Sequence, residues 1–309
     1  MAVVHQEAGP APLVLDEADW RTREAAHAER ADALTAGARA RRERGEAHAV
    51  EDFLYTYYPW PPGRLRRWHP GAGVVLTGAG AVGRAGWAHY AAAQAPDGAA
   101  GAAVDAAGIA AQRAPVVRLA GRVLAATLTR PAQLGCFGLH EWAMVHGTPA
   151  GGIRHSSLPL RLGSAGTDAV VESHRIRCSH FDAFRFFTPT AVPRNELQPR
   201  SDTRAELEQP GCLHATMDCY RWAQKLSPAV PGELLLDCFE LARDVRVLDM
   251  RASPYDVSGY GLTAVAIETP QGKAEYVAAQ RGFARRAEPL RRRLLAVCEL
   301  LAAAGSATG

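Results

Sequence analysis

Apolar positions recur at helical spacing over most of the chain. Leu119, Val123, Leu124 and Leu128 fall on one face of a helix that sets in at about residue 118. A second helix is predicted across 135–146, where apolar and aromatic residues surround His140-Glu141, and further helices over 211–226 and 232–248, the latter introduced by Pro231-Gly232. The last, over 272–304, is long and basic on one face, and 15–46 mixes Ala, Arg and Glu with no Gly until Gly37. That stretch reads as one or two solvent-facing helices, an arm packing across a subunit boundary. Strand candidates are few: Gly73–Thr77, Ala169–Glu172 and Thr263–Glu268. The aromatic, proline-rich stretch 53–73 reads as an ordered loop, and the Ala/Gly-rich stretch 91–115 as a mobile one. The pattern predicts a mostly α fold, a single helical domain with minor β, with residues 1–50 as a charged helical arm and 51–309 as the catalytic domain. No internal repeat is visible, which weighs against a solenoid.

Composition narrows the class. With 309 residues, 48% hydrophobic and 22% charged, the chain is of globular type. No run of eighteen apolar residues exists, and the first residues lack the basic-then-apolar pattern of a secretion signal, so a cytoplasmic protein with no membrane partner is expected. The net charge of +3 gives duplex binding no support. Cysteines 136, 178, 212, 219, 238 and 298 show no CxxC spacing, so a structural zinc finger is not expected.

Chemistry concentrates between Val170 and Phe187. Two imidazoles, a thiol and a carboxylate (His174, Cys178, His180, Asp182) lie within nine residues, followed by Phe184, Phe186 and Phe187. His174 and Cys178 are four apart, a spacing that shares a face on a helix or a strand, so both are expected to point at one volume. Gly78-Ala79-Gly80-Ala81-Val82-Gly83 matches GxGxxG after an apolar run, but no second strand ending in an acid follows; a glycine-rich turn is the default. His140 and His146 are six apart, too far round a helix for a zincin pair; His140 alone remains a possible ligand. His69, set between Trp68 and Pro70, is a candidate rigid acid or base. Arg243, Asp244, Arg246, Asp249, Arg251 and Asp256 read first as an ion-pair network, with Arg251 as an alternative partner for a substrate carboxylate.

Two families resemble this chain. The segments Gly138–Met144, Cys178–Pro189 and Leu248–Asp256 look like proteins catalogued as 3-methyladenine DNA glycosylases. The chain has no helix-hairpin-helix turn followed by a catalytic aspartate. Such an activity would draw on Asp182 or Glu141 as the carboxylate and on Tyr57, Tyr58 or Trp60 to stack a flipped base. The order His140 … His174-Arg175-Ile176-Arg177-Cys178 resembles the heme-dependent tyrosine hydroxylases, a histidine-ligated, mostly helical and often dimeric group. That resemblance implies heme as cofactor, His174 as axial ligand and metal ligand, Cys178 as a thioether tether, and His140 as alternative or second axial ligand. It also implies Phe184 against the macrocycle, His69 on the substrate side and Arg251 holding the substrate carboxylate. The activity implied is an oxidoreductase that hydroxylates an aromatic amino acid, L-tyrosine to the catechol L-DOPA, with peroxide or dioxygen, as a homodimer without nucleic acid. A third reading is a non-heme iron set of His180, Asp182 and His140, a pattern more usual on β-rich barrels.

Overall fold

The computed structural model describes residues 12–148 and 157–306. The chain runs β1 (Leu13–Leu15), α1 (Glu17–Glu43), α2 (Phe53–Thr56), α3 (Pro62–Leu65), β2 (Val74–Thr77), α4 (Ala79–Val82), β3 (Tyr90–Gln94), β4 (Ala100–Val104), α5 (Ala106–Thr129), α6 (Leu139–Ala143), α7 (Gly163–Ser173), α8 (Phe181–Phe184), α9 (Arg204–Leu207), α10 (Leu213–Leu226), α11 (Gly232–Arg251) and α12 (Pro270–Ser306). The fold is mostly α, a single helical domain with one small sheet. None of the described helices is long and apolar enough to cross a membrane.

The long helices start and stop where their sequences provide for it. Asp16 caps α1 by accepting from the Asp19 amide at 2.9 Å, acids fill its first turn, and Arg41 and Arg42 its last, in line with the helix dipole. Asp105 caps α5 in the same way through Gly108. Arg113, two residues before Pro115, leaves helical geometry and kinks α5, because the proline ring crowds the preceding turn and brings no amide. α10 is buried on nearly every side, so its polar residues have no choice but to face the core. The main core lies among α5, α10, α11 and α12.

The sheet has the order β1-β2-β4-β3, with β1 parallel to β2 and the other pairs antiparallel. A second cluster of Leu15, Trp20, Trp68, Leu76 and Ala81 seals it against α1. There Arg84, 4% exposed, stacks over Trp20 at 4.5 Å and Trp87 at 4.6 Å and pairs with Glu24 at 2.6 Å. The GxGxxG segment turns β2 into the four-residue α4, and the next strand pairs antiparallel. Its glycines give close approach to the chain's own Glu17, whose carboxylate accepts from the Gly80 amide at 3.2 Å. No dinucleotide turn is formed.

Three expectations are corrected. Ala169–Glu172 is the end of helix α7, where Thr167, Val170 and Val171 bury one face and outweigh the β preference of adjacent valines. Thr263–Glu268 makes no strand; it is held by turns and by the Val265 amide donating to the Arg251 carbonyl. The stretch 91–115, expected as a mobile loop, forms β3, β4 and the start of α5, because a tight turn at Gly98 brings small alanines together as a hairpin.

Gly272 sits in the first turn of α12 where a Cβ would run into the Ala266 carbonyl group. Gly272→Ala is therefore expected to destabilise the fold by roughly 1–3 kcal/mol, measured as a lowered denaturant midpoint at unchanged slope.

Candidate metal centre

Three helices that meet in the core bring titratable groups together out of water. The left-handed Gly138 turns the chain into α6, which presents His140 and Glu141 inward. α10 contributes His214, Asp218 and Arg221, at i, i+4 and i+7 on one face. α11 contributes Arg246 and Asp249, one turn apart. Because all but Arg221 of these are buried, each must find its partner within the protein.

The first group is His140, His214 and Asp249. Their coordinating atoms all lie within 4.8 Å of one another. His140 Nε2 is 2.9 Å from Asp249 Oδ1, and the His214 ring meets His140 edge-on with centroids 4.5 Å apart. His214 Nδ1 is buried with no hydrogen-bond partner. Arg246 Nη1 donates to Glu141 at 3.0 Å and to the other oxygen of Asp249 at 3.1 Å, with its guanidinium over Phe53 at 4.1 Å. On its far side His140 Nδ1 lies 3.5 Å from Cys136 Sγ. Two carboxylates face one guanidinium here, which leaves place for one further positive charge, a proton or a metal ion. Burial alone would pull His140 down, but the Asp249 carboxylate more than reverses this and holds it well above the usual imidazole value. Asp249, despite its burial, is held well below the carboxylate range by His140 and by Arg246. His214 is pushed well below the imidazole value by burial and then by His140, and so stays neutral with a free lone pair.

The second group is His180, Glu208 and Asp218. His180 Nε2 is 3.2 Å from Asp218 and 3.4 Å from Glu208. Here the cation is already present: Arg204 donates to Glu208 at 2.6 Å and Asp218 at 2.5 Å, and Arg221 reaches Asp218 at 3.1 Å and also pairs with Asp182. Counting Arg185 at 3.4 Å from Asp182, three guanidiniums meet three carboxylates. This network is balanced by its own arginines. His214, whose ring centroid is 5.4 Å from that of His180, joins the two groups.

The residues singled out from sequence fall in several places. His140 is at the heart of the first group. His174 ends α7 at the rim of a surface groove, its Nδ1–H donating to the Val170 carbonyl at 2.6 Å. Cys178 is buried behind it, on a void of about 10 Å³ shared with Cys136, His140, Cys212 and Tyr276. Its thiol is pushed well up by burial, then by Cys136. The two therefore open on different spaces, against the shared face expected from their spacing: α7 ends at Ser173 and Cys178 lies beyond it, outside any helix or strand. A void of that size holds at most one water, where a ligand of drug size takes about 300–1,000 Å³. The residues as they stand do not fit a macrocycle held by His174 and tethered at Cys178. Phe184 packs on Phe187 at 5.1 Å against the core.

His69 lies elsewhere. Its carbonyl accepts from the Gly232 amide at the start of α11 and its Nδ1 meets Tyr90 Oη at 2.8 Å; Asp249 is seventeen residues along that helix, about 25 Å away. Arg251 is engaged by the Thr263 carbonyl at 2.7 Å and Glu275 at 3.1 Å, in line with the ion-pair reading. Of the base-flipping candidates, Glu141 and Asp182 are held by arginines, Tyr58 and Trp60 are buried, and Tyr57 accepts from Arg221. The set His180, Asp182 and His140 is divided between the two groups, with Asp182 in neither.

No protein-family model, curated protein or solved structure matches this chain. The reading of the site therefore rests on its geometry. Sequence reasoning missed His214, Glu208, Asp218, Arg204 and Arg221, and took Asp249 for part of a helix-end ion-pair network. One signal was available: His214, Asp218 and Arg221 form a titratable stripe on a helix that is otherwise mostly apolar.

Two outcomes are expected. Arg204→Met leaves Glu208 and Asp218 short of a cation in the core and should cost about 3–5 kcal/mol in chemical denaturation. His69 is pushed down to about 4 by burial, and then by Arg67 and Arg84, so the unfolded chain binds its proton first as pH falls below 6.5. Stability should be complete above that value and decline toward pH 4, and His69→Gln should flatten the decline, by no more than about 2 kcal/mol at pH 5.

Proposed function

We propose that the protein is a metal-dependent enzyme whose centre is held by His140, His214 and Asp249, and that it is an oxidoreductase acting on a small organic substrate. The observation that carries this reading is the donor set: two imidazoles and one carboxylate, buried and converging, one of the imidazoles with an orphan nitrogen. Two ligands each about 2.1 Å from an ion and at right angles are about 3.0 Å apart, and His140 Nε2 and Asp249 Oδ1 are separated by 2.9 Å. Two imidazoles and a carboxylate on one side of an ion are the set used by non-heme iron oxygenases, which leave coordination positions open for dioxygen and substrate.

The surrounding residues have definite tasks under this reading. Arg246 fixes Asp249 through the oxygen that does not face His140, and so sets the carboxylate's orientation. Phe53, Met144 and Phe186 give a void of about 10 Å³ beside His214 an apolar wall that limits water. Glu141 lines that void and is placed to hold or pass a proton there.

The test is anaerobic titration of the purified, chelator-treated protein with Co²⁺, followed by its visible absorption, and metal analysis of protein loaded with Fe²⁺. One equivalent is expected. His214→Ala and Asp249→Asn should weaken binding by about a hundredfold or more, Arg246→Met by about 10–100-fold, and His174→Ala not at all. Unchanged stoichiometry and affinity in His214→Ala and Asp249→Asn would remove the assignment. A Soret band in protein grown with heme precursor, lost in His174→Ala, would restore heme in its place.

A further inference from the structure

On the surface side of this centre runs a groove of about 460 Å³, lined by Phe137, His174, Arg175, Arg177, Glu196 and Lys273 among others. Three permanent cations face one carboxylate there. Glu196 is taken by Arg175, whose Nε donates to it at 2.6 Å, while Arg177 stands 4.0 Å off and half exposed. Lys273 makes no ion pair among the described residues; its ammonium lies 5.7 Å from the centre of the Phe137 ring. Lys273 thus stands near the ring with no acid of its own, and Arg177 shares its one distant acid, Glu196, with Arg175.

The groove backs directly onto the void that His140 walls. Two strips of chain line both of them. On the first, Gly135 and Phe137 face the groove and Cys136 faces the void; on the second, His174 and Arg175 face the groove and Cys178 the void, and Arg177 borders both. Within the void Gln280, 1% exposed, has its Oε1 buried without a partner while its Nε2 donates to the Gly211 carbonyl. An orphan acceptor of this kind calls for a donor that the chain does not provide. The dividing wall also carries one of the two non-glycine left-handed residues among those described. Phe137 has φ +49° and Gly138 φ +73°, successive left-handed residues of which only the second is free of a side chain.

We propose that this groove binds a small organic carboxylate with a flat apolar body, held by Arg177 and Lys273 against Phe137, and that it is the mouth through which the substrate of the metal centre enters. The carboxylate stays at the two cations in the groove. The opposite end of the molecule points inward, where a hydroxyl can donate to Gln280 once Phe137 swings aside from its strained position. The proposal rests on the metal-centre reading for its destination, but the groove binds its ligand whether or not a metal is present.

The test uses 4-hydroxyphenylacetate and its uncharged amide, 4-hydroxyphenylacetamide, against the full-length chelator-treated protein by saturation-transfer NMR and calorimetry. The acid should bind and the amide bind at least about tenfold more weakly, and Arg177→Gln with Lys273→Gln should weaken the acid by at least about tenfold. Both substitutions are at exposed or half-exposed side chains, and a Co²⁺ titration of the same variants should still give one equivalent. Equal binding of acid and amide, binding untouched in the double variant, or no binding of the acid at all would overturn the proposal. Inorganic phosphate binding in place of the acid would do the same. Loss of Co²⁺ binding in His214→Ala reports on the centre alone, so failure of the groove and failure of the metal reading are seen separately.

Discussion

Charge taken out of water has to be met within hydrogen-bonding reach, and this protein takes an unusual amount of charge into its helical core. Asp249, Asp218, Glu208 and Arg246 are each no more than 1% exposed, and His180 is fully buried beside them. None of these can sit there alone. The pairing of Asp249 with His140 and Arg246, and of Asp218 with Arg204 and Arg221, therefore dictates how α6, α10 and α11 meet. The apolar packing around them tolerates small shifts; a displaced carboxylate would be left unpaired.

The two buried groups share residue types but differ in balance. The His180 group carries its own arginines, and its charges cancel. The His140 group has one guanidinium for two carboxylates and so depends on a proton or a metal ion for its balance. Each group holds one imidazole nitrogen with no partner, His214 Nδ1 here and His180 Nδ1 there. An incomplete network in a well-packed core is the place to look for a ligand, because a purely structural one gains nothing by leaving a donor or acceptor unmet. The cationic groove behind Arg177, with the unmet Gln280 oxygen beyond it, extends the same reasoning outward to the surface.

The sheet lies at the opposite end of α11 from this chemistry and does different work. β1 and β2 pack with Trp68 against Trp20 of α1, and Arg84 is clamped between indole rings with Glu24 as its counter-charge. His69, held neutral against Tyr90, belongs to that end. The aromatic stretch before it, read from composition as an ordered loop, holds the short helices α2 and α3, and His69 borders the sheet and not the buried histidines.

What the sequence determined by itself is what local physics can set. Apolar spacing gave the body of α5 from about 118, and pattern and composition together placed α10, α11 and α12 within a few residues of their observed bounds, α1 as one or two helices, β2 and the mostly α class, since a helix is decided by residues three and four apart. It marked His140 as a possible ligand, and it failed at 169–172, where burial of a helix face overrode β-branched residues. The grouping of the site was beyond it. His140 meets Asp249 across 109 residues, and His174 and Cys178, neighbours in the sequence, were parted by the end of a helix. Which imidazole meets which carboxylate is settled only when helices pack and every buried charge must choose a partner, and spacing along the chain carries no record of that choice.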